Sequence, residues 1–275
     1  MRRRAYEADW DESFEIGSLF FMSTKNVADI LFCIDASDSM KPCFDALVSH
    51  LNDLINSLKS DGGEWDIRFD FISQSVAQSQ NDSHTHVFQH HSVFSSDVLT
   101  ELYSKPNPEE HFFTSDRHLF LNALSKINCK GDEAMLVALD TAIDFPWRHS
   151  AECHRVLIFL TDEPCETNCD NGTKYPQKLE DMISKIQDRR IMLFIVAPES
   201  DAYDELSQAN LCEYKVIDSS NDGFRKVDFS KIMEFIGRSV SVAEVTASIS
   251  DSSYRALYSQ DKWNSSKDPY EFKGK

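Results

Sequence analysis

Residues 28 to 40, Ala-Asp-Ile-Leu-Phe-Cys-Ile-Asp-Ala-Ser-Asp-Ser-Met, constrain the fold more than any other stretch of the 275-residue chain. Ile30 to Ile34 form an unbroken apolar run, the pattern of a parallel strand covered on both faces. The run stops at Asp35, Ser37 and Ser39, oxygen-bearing side chains at alternate positions. Open α/β sheets bind ligands at the carboxyl ends of their strands. Oxygen ligands spaced by two along a tight loop converge on a hard cation such as Mg²⁺. Taken alone, Asp-x-Ser-x-Ser is equally ordinary turn and helix-cap chemistry, so a metal reading needs further elements.

Two further stretches supply them. Residues 154 to 164, His-Arg-Val-Leu-Ile-Phe-Leu-Thr-Asp-Glu-Pro, form a second apolar strand ending in Asp162, with Pro164 closing it. Between the two strands, Gly131-Asp132-Glu133 precedes Ala134, Leu136, Val137, Leu139, Ala142 and Ile143, apolar residues at helical spacing. Three loops thus present oxygen ligands. In this combination the sequence resembles the von Willebrand factor type A domain with its metal-ion-dependent adhesion site, over residues 27 to 243. Within that family it is most similar to an intracellular subgroup that includes the domain attached to some alpha-kinases. The matching pieces are Gly131-Asp132-Glu133, Leu139 to Arg148, and Thr161-Asp162-Glu163-Pro164-Cys165.

The resemblance implies a three-layer α/β/α Rossmann-like fold whose central sheet is mostly parallel with one antiparallel edge strand. It also implies a divalent cation, Mg²⁺ with Mn²⁺ or Ca²⁺ as substitutes. The cation would be held by Asp35, Ser37 and Ser39 from the first loop, Asp132 or Glu133 from the second and Asp162 from the third, some through water. The implied role is an adaptor or scaffold in protein-protein interaction. Two departures from the family pattern stand out. Asp38 occupies a position where the family usually has Gly, which predicts an altered turn and an extra carboxylate. An acidic second loop in place of the usual Thr leaves the ligand set with surplus negative charge, which favours a neutral or basic partner group over an acidic one.

Charge points the same way. The 46 acidic against 28 basic side chains give a net charge of −18, which argues against nucleic acid or an anionic membrane as the main partner. Met1-Arg2-Arg3-Arg4 looks like the start of a secretory signal, but Glu7, Asp9, Asp11, Glu12 and Glu15 follow, and Phe20-Phe21-Met22 is too short an apolar core. The expected compartment is the cytoplasm, with thiols reduced. Cys165 and Cys169 have a spacing that zinc sites use, with Cys129 or Cys153 to complete one, but a paired second motif is missing. His84, His86, His90 and His91 read as solvated loop histidines in preference to a transition-metal site.

An enzyme fits less well. A haloacid-dehalogenase-type phosphatase needs an acid/base Asp two residues after the first, where this chain has Ser37. A serine nucleophile needs a Gly-rich elbow and a positioned His, which Ser37 and Ser39 lack. A metal-dependent hydrolase or phosphoesterase and a degenerate metal-free scaffold are the alternatives.

Strands are expected at 27–35, 65–72, 86–91, 155–161, 191–197 and 213–217, and helices at 44–58, 119–127, 176–190 and 227–242. Phe112 and Phe113 read as loop anchors. Residues 1–26 form an aromatic-bearing extension and 244–275 a polar tail flanking the 27–243 domain.

Overall fold

The computed structural model describes residues 26–59, 64–78, 84–131, 134–150, 152–165, 175–218, 224, 227–242 and 272–273. The apolar run seen in the sequence becomes β1 (Asn26–Asp35), which continues through a 3-10 turn (Asp38–Met40) into α1 (Lys41–Leu58). The chain then forms β2 (Trp65–Gln78), β3 (His84–His90), β4 (Val93–Ser95), α2 (Val98–Tyr103), α3 (Arg117–Leu124) and α4 (Met135–Ile143). Next come β5 (His154–Leu160), α5 (Tyr175–Asp188), β6 (Ile191–Pro198), α6 (Asp201–Leu206), β7 (Cys212–Ile217), α7 (Phe229–Val242) and β8 (Phe272–Lys273).

The strands lie in the order β4-β3-β2-β1-β5-β6-β7-β8. The central five, β2, β1, β5, β6 and β7, are parallel. Antiparallel pairing occurs at both edges, through β3 and β4 on one side and β8 on the other, where one antiparallel edge strand was expected. Chain order reverses at β1, which has β2 on one side and β5 on the other. A crevice at the carboxyl ends of β1 and β5 is the consequence of that reversal.

Alternation along β1 divides the core into two layers. Ile30, Phe32 and Ile34 pack with Leu47, Leu51 and Leu54 of α1, Phe120 of α3 and Ile236 of α7. Leu31 and Cys33 face Leu136 and Leu139 of α4, Ile186 of α5 and Leu206 of α6. Helices α1 and α7 approach closely at Gly237, where a Cβ would lie 2.6 Å from the Ser57 Cβ and 2.8 Å from the Leu54 carbonyl oxygen. Among the described residues no helix is long and apolar enough to cross a membrane.

At the amino ends of the strands, buried Asp29 is gripped from both sides. Arg68 Nε donates to its Oδ1 at 2.8 Å and Arg68 Nη2 to its Oδ2 at 2.7 Å. Arg148 donates its backbone N–H to Oδ2 and its Nε to Oδ1, both at 2.8 Å. Burial raises the Asp29 pKa, but these hydrogen bonds and the two guanidinium charges outweigh it and hold the carboxyl below the usual range.

Four elements escape sequence periodicity because they are short: β4, α2, α6 and β8. Strand β2 also runs on to Gln78, beyond the expected end at Ile72, through Ser73, Gln74 and Ser75. These polar residues are buried, and Gln74 serves the adjoining loops.

Candidate functional site

Strand β1 delivers Asp35, fully buried, to the crevice. Its Oδ1 accepts the Ser37 backbone N–H at 2.6 Å, and its Oδ2 accepts the Thr161 hydroxyl at 2.8 Å. The first and third loops are therefore locked to one carboxylate. Ser39 Oγ donates to Asp162 Oδ1 at 3.0 Å and lies 3.1 Å from Ser37 Oγ. Asp35, Ser37, Ser39 and Asp162, named from sequence, come together. Asp38 opens the 3-10 turn, is exposed and has no left-handed backbone angle, so this turn makes no demand for glycine.

Burial pushes the Asp35 carboxyl up to about 7 against the opposing hydrogen bonds from Ser37 and Thr161, and the charge of Asp162 adds to the rise. Asp162 is raised by its own burial, against the Ser39 hydrogen bond. Among the described residues no Lys, Arg or His forms an ion pair with either carboxylate. The donor set is hydroxyl and carboxylate oxygen, the chemistry of a hard divalent cation.

The second loop is held at both of its described ends. Lys130 donates its N–H to the Ala36 carbonyl at 2.7 Å, and Ala134 donates its N–H to Gln74 Oε1 at 2.7 Å. Gly131 has φ +81, and a Cβ there would meet the Val76 carbonyl oxygen at 2.4 Å. Asp132 and Glu133, between these anchors, lie outside the described residues, as does Cys169. Cys153 and Cys165 sit beyond opposite ends of β5. A seven-residue strand spans about 20 Å, so Cys153 and Cys165 cannot share a zinc site.

A second polar cluster lies along β2, where sequence reading placed none. Asp70 is fully buried, as are the His90 side-chain atoms, and the His91 side chain is 10% exposed. His90 and His91 are therefore not the solvated loop histidines expected. His90 Nε2 is 2.9 Å from Asp70 Oδ2 and His91 Nδ1 is 3.0 Å from Oδ1. The backbone N–H groups of Phe71 and Phe113 donate to the same carboxylate at 2.8 and 2.9 Å. Ser92 donates its N–H to His90 Nδ1 at 3.3 Å, so the His90 proton sits on Nε2, facing Asp70. Burial raises the Asp70 pKa, but the histidines outweigh it and the carboxyl lies well below its usual range. Burial lowers the His90 pKa, against the pull of Asp70. The available signal was a carboxylate flanked by Phe69 and Phe71 inside an expected strand.

A family model for the von Willebrand factor type A domain matches residues 29–238. Among solved structures, the SpRpn10 VWA domain is similar at 12% identity and a TM-score of 0.48, covering 81% of this chain and 98% of its own. A von Willebrand factor type A protein from Catenulispora acidiphila gives 15% identity and a TM-score of 0.47, covering 80% of this chain and 44% of its own. Proximal thread matrix protein 1 from the mussel byssus, with a zinc-occupied MIDAS motif, gives 18% and 0.44, covering 78% of this chain and 46% of its own. The chain spans less than half the length of the last two. No curated protein matches the chain.

Proposed function

The chain belongs to the von Willebrand factor type A domain family, matched over residues 29–238, and on that premise we propose that it is a metal-dependent protein-interaction module. It acts as an adaptor or scaffold, and a divalent cation bridges it to its partner. Asp35, Ser37, Ser39 and Asp162 would hold the ion, some through water, with Asp132 or Glu133 from the second loop. The ion is Mg²⁺, for which an all-oxygen donor set is suited. When bound, it supplies an open coordination position for a partner group.

One observation carries this reading. Two buried carboxylates, Asp35 and Asp162, are linked through hydroxyls at the mouth of the sheet with no cationic side chain paired to them among the described residues. Buried negative charge without a counter-charge is costly, and a bound divalent cation removes that cost. The groups in hydrogen-bond contact with these carboxylates are hydroxyls and backbone N–H, which favours binding over catalysis. The net charge of −18 and exposed Asp38 at the rim favour a partner that brings a neutral or basic surface. Free thiols at all six described cysteines accord with the cytoplasm.

Calorimetric titration of Mg²⁺ and Mn²⁺ into chelator-stripped protein tests the reading, with Ser39→Ala and Asp162→Asn alongside. One saturable site, weakened in both variants, is the expected result. Absence of binding to the folded wild-type protein overturns it.

A further inference from the structure

The geometry points to a second metal site, formed by Asp70, His90 and His91, that takes a divalent transition cation such as Zn²⁺ and clasps the hairpin edge of the sheet. This inference does not depend on the three-loop site. The two differ in donor chemistry: oxygen alone at the first, two imidazoles and a carboxylate at the second. Imidazole nitrogen suits zinc and its neighbours, whereas Mg²⁺ prefers oxygen.

The ligand atoms of the three side chains all lie within 4.8 Å of one another. His90 Nε2 and His91 Nδ1 both converge on Asp70 Oδ1, at 2.8 and 3.0 Å. Ligand atoms around a tetrahedral zinc stand about 3.3 Å apart, as its ~2.0 Å bonds require. The two nitrogen-to-carboxylate distances therefore need to open by only a few tenths of an ångström to match a coordination shell.

Supporting contacts are already in place. Metal-bound histidine presents its other nitrogen to an oxygen acceptor, and Ser92 Oγ lies 3.2 Å from His90 Nδ1. Bound through Nε2, His90 would carry its proton on Nδ1, giving up the Ser92 N–H contact and donating to the Ser92 hydroxyl instead, and His91, bound through Nδ1, would carry its proton on Nε2. The Phe71 and Phe113 N–H groups continue to orient the Asp70 carboxylate. Lys105 opposes the ion electrostatically, since its charge acts on His90, but its ammonium donates to the Ser92 carbonyl at 2.9 Å.

The site also has a structural purpose. Asp70 belongs to β2, His90 ends β3, His91 begins the turn to β4, and the Phe113 N–H comes from a third segment with left-handed φ of 48. The Asp70 carboxylate is buried beside His90, which the rings of Phe71, Phe112 and Phe145 surround. A divalent cation compensates the carboxylate charge and joins segments that are distant in sequence. The partly exposed His91 gives it a way in.

Co²⁺ and Zn²⁺ titrated into the full chain test the proposal. The wild type, Asp162→Asn and His91→Gln are compared. Imidazole-bound, low-coordinate Co²⁺ should give visible d–d bands at one equivalent, displaced by Zn²⁺, in the wild type and Asp162→Asn but not in His91→Gln. Zn²⁺ at a hundredfold excess over Kd should raise Tm by about 5–10 °C in the same two proteins. Mg²⁺ binding should show the reverse pattern, lost in Asp162→Asn and kept in His91→Gln, so the two sites stand or fall separately. Co²⁺ bands lost in Asp162→Asn and kept in His91→Gln would assign the ion to the three-loop site and overturn the proposal. Should His91→Gln fail to fold, X-ray absorption of the zinc-loaded wild type decides: two imidazole ligands sustain the site, and an all-oxygen shell or no bound zinc sinks it.

Discussion

The backbone nitrogen of Ala134 lies 2.7 Å from Oε1 of Gln74, a buried side chain near the carboxyl end of β2. Gln74 is also the register partner of Asp35, and its carbonyl accepts the Ala36 N–H at 2.8 Å. One residue thus fixes the first loop with its backbone and the second with its side chain. Replacing it by Leu keeps the volume and removes the acceptor. Gln74→Leu should weaken Mg²⁺ about 10- to 100-fold, as loss of an outer supporting contact does, at about 1–3 kcal/mol of stability. Calorimetry and urea unfolding separate the two effects. Wild-type affinity in a folded Gln74→Leu protein would show that the second loop is positioned without this hydrogen bond.

Gly131 tests the same loop through the backbone. At φ +81, an L-residue bears a conformational cost of roughly 1–2 kcal/mol, and the added Cβ would stand 2.4 Å from the Val76 carbonyl oxygen. Gly131→Ala should therefore shift the loop away from β2. The expected outcome is reduced metal affinity together with a lower urea midpoint. An unchanged midpoint would show that the loop relaxes freely.

At the far end of the sheet, Asp29 holds Arg68 and Arg148. Truncating one member of a buried charge network leaves the others uncompensated, a loss of about 3–5 kcal/mol. Asp29→Ala should approach that cost while leaving metal stoichiometry intact in the fraction that remains folded. The pH dependence has a definite sign. Because the folded pKa is depressed, the unfolded carboxyl takes up its proton first as pH falls. The stability is complete above the unfolded value and is lost on acidification below about 4. In acid titrations monitored by circular dichroism, Asp29→Asn should lack this component.

How much of this was legible beforehand depends on how each residue advertises itself. Strands β1 and β5 were plain because buried parallel strands are unbroken apolar runs, and their terminal Asp35 and Asp162 stood out against them. The far half of β2 was hidden, since Ser73, Gln74 and Ser75 look like a loop until the loops they support are seen. His90 and His91 were misread for a related reason. A polar segment gives no sign that Asp70, some twenty positions earlier, draws both rings inward. Long-range pairing of polar groups has no period, whereas core packing does.

His154 supplies a different pH signature. It begins β5, is buried, and its ring lies 5.7 Å from that of Trp65. Burial alone lowers its pKa from an ordinary 6.5 to about 4. Between those values the unfolded chain binds a proton that the folded chain refuses, so stability rises with pH across the window. It is complete above about 6.5 and is lost as pH falls toward 4, on the order of 3 kcal/mol in all. His90, also lowered by burial, acts in the same direction, so the comparison must be made between variants. His154→Phe replaces one buried ring by another that does not titrate. Urea midpoints at pH 7 and pH 5 should differ clearly in the wild type and markedly less in His154→Phe. Equal differences in the two proteins would mean that His154 takes up its proton without disturbing the fold.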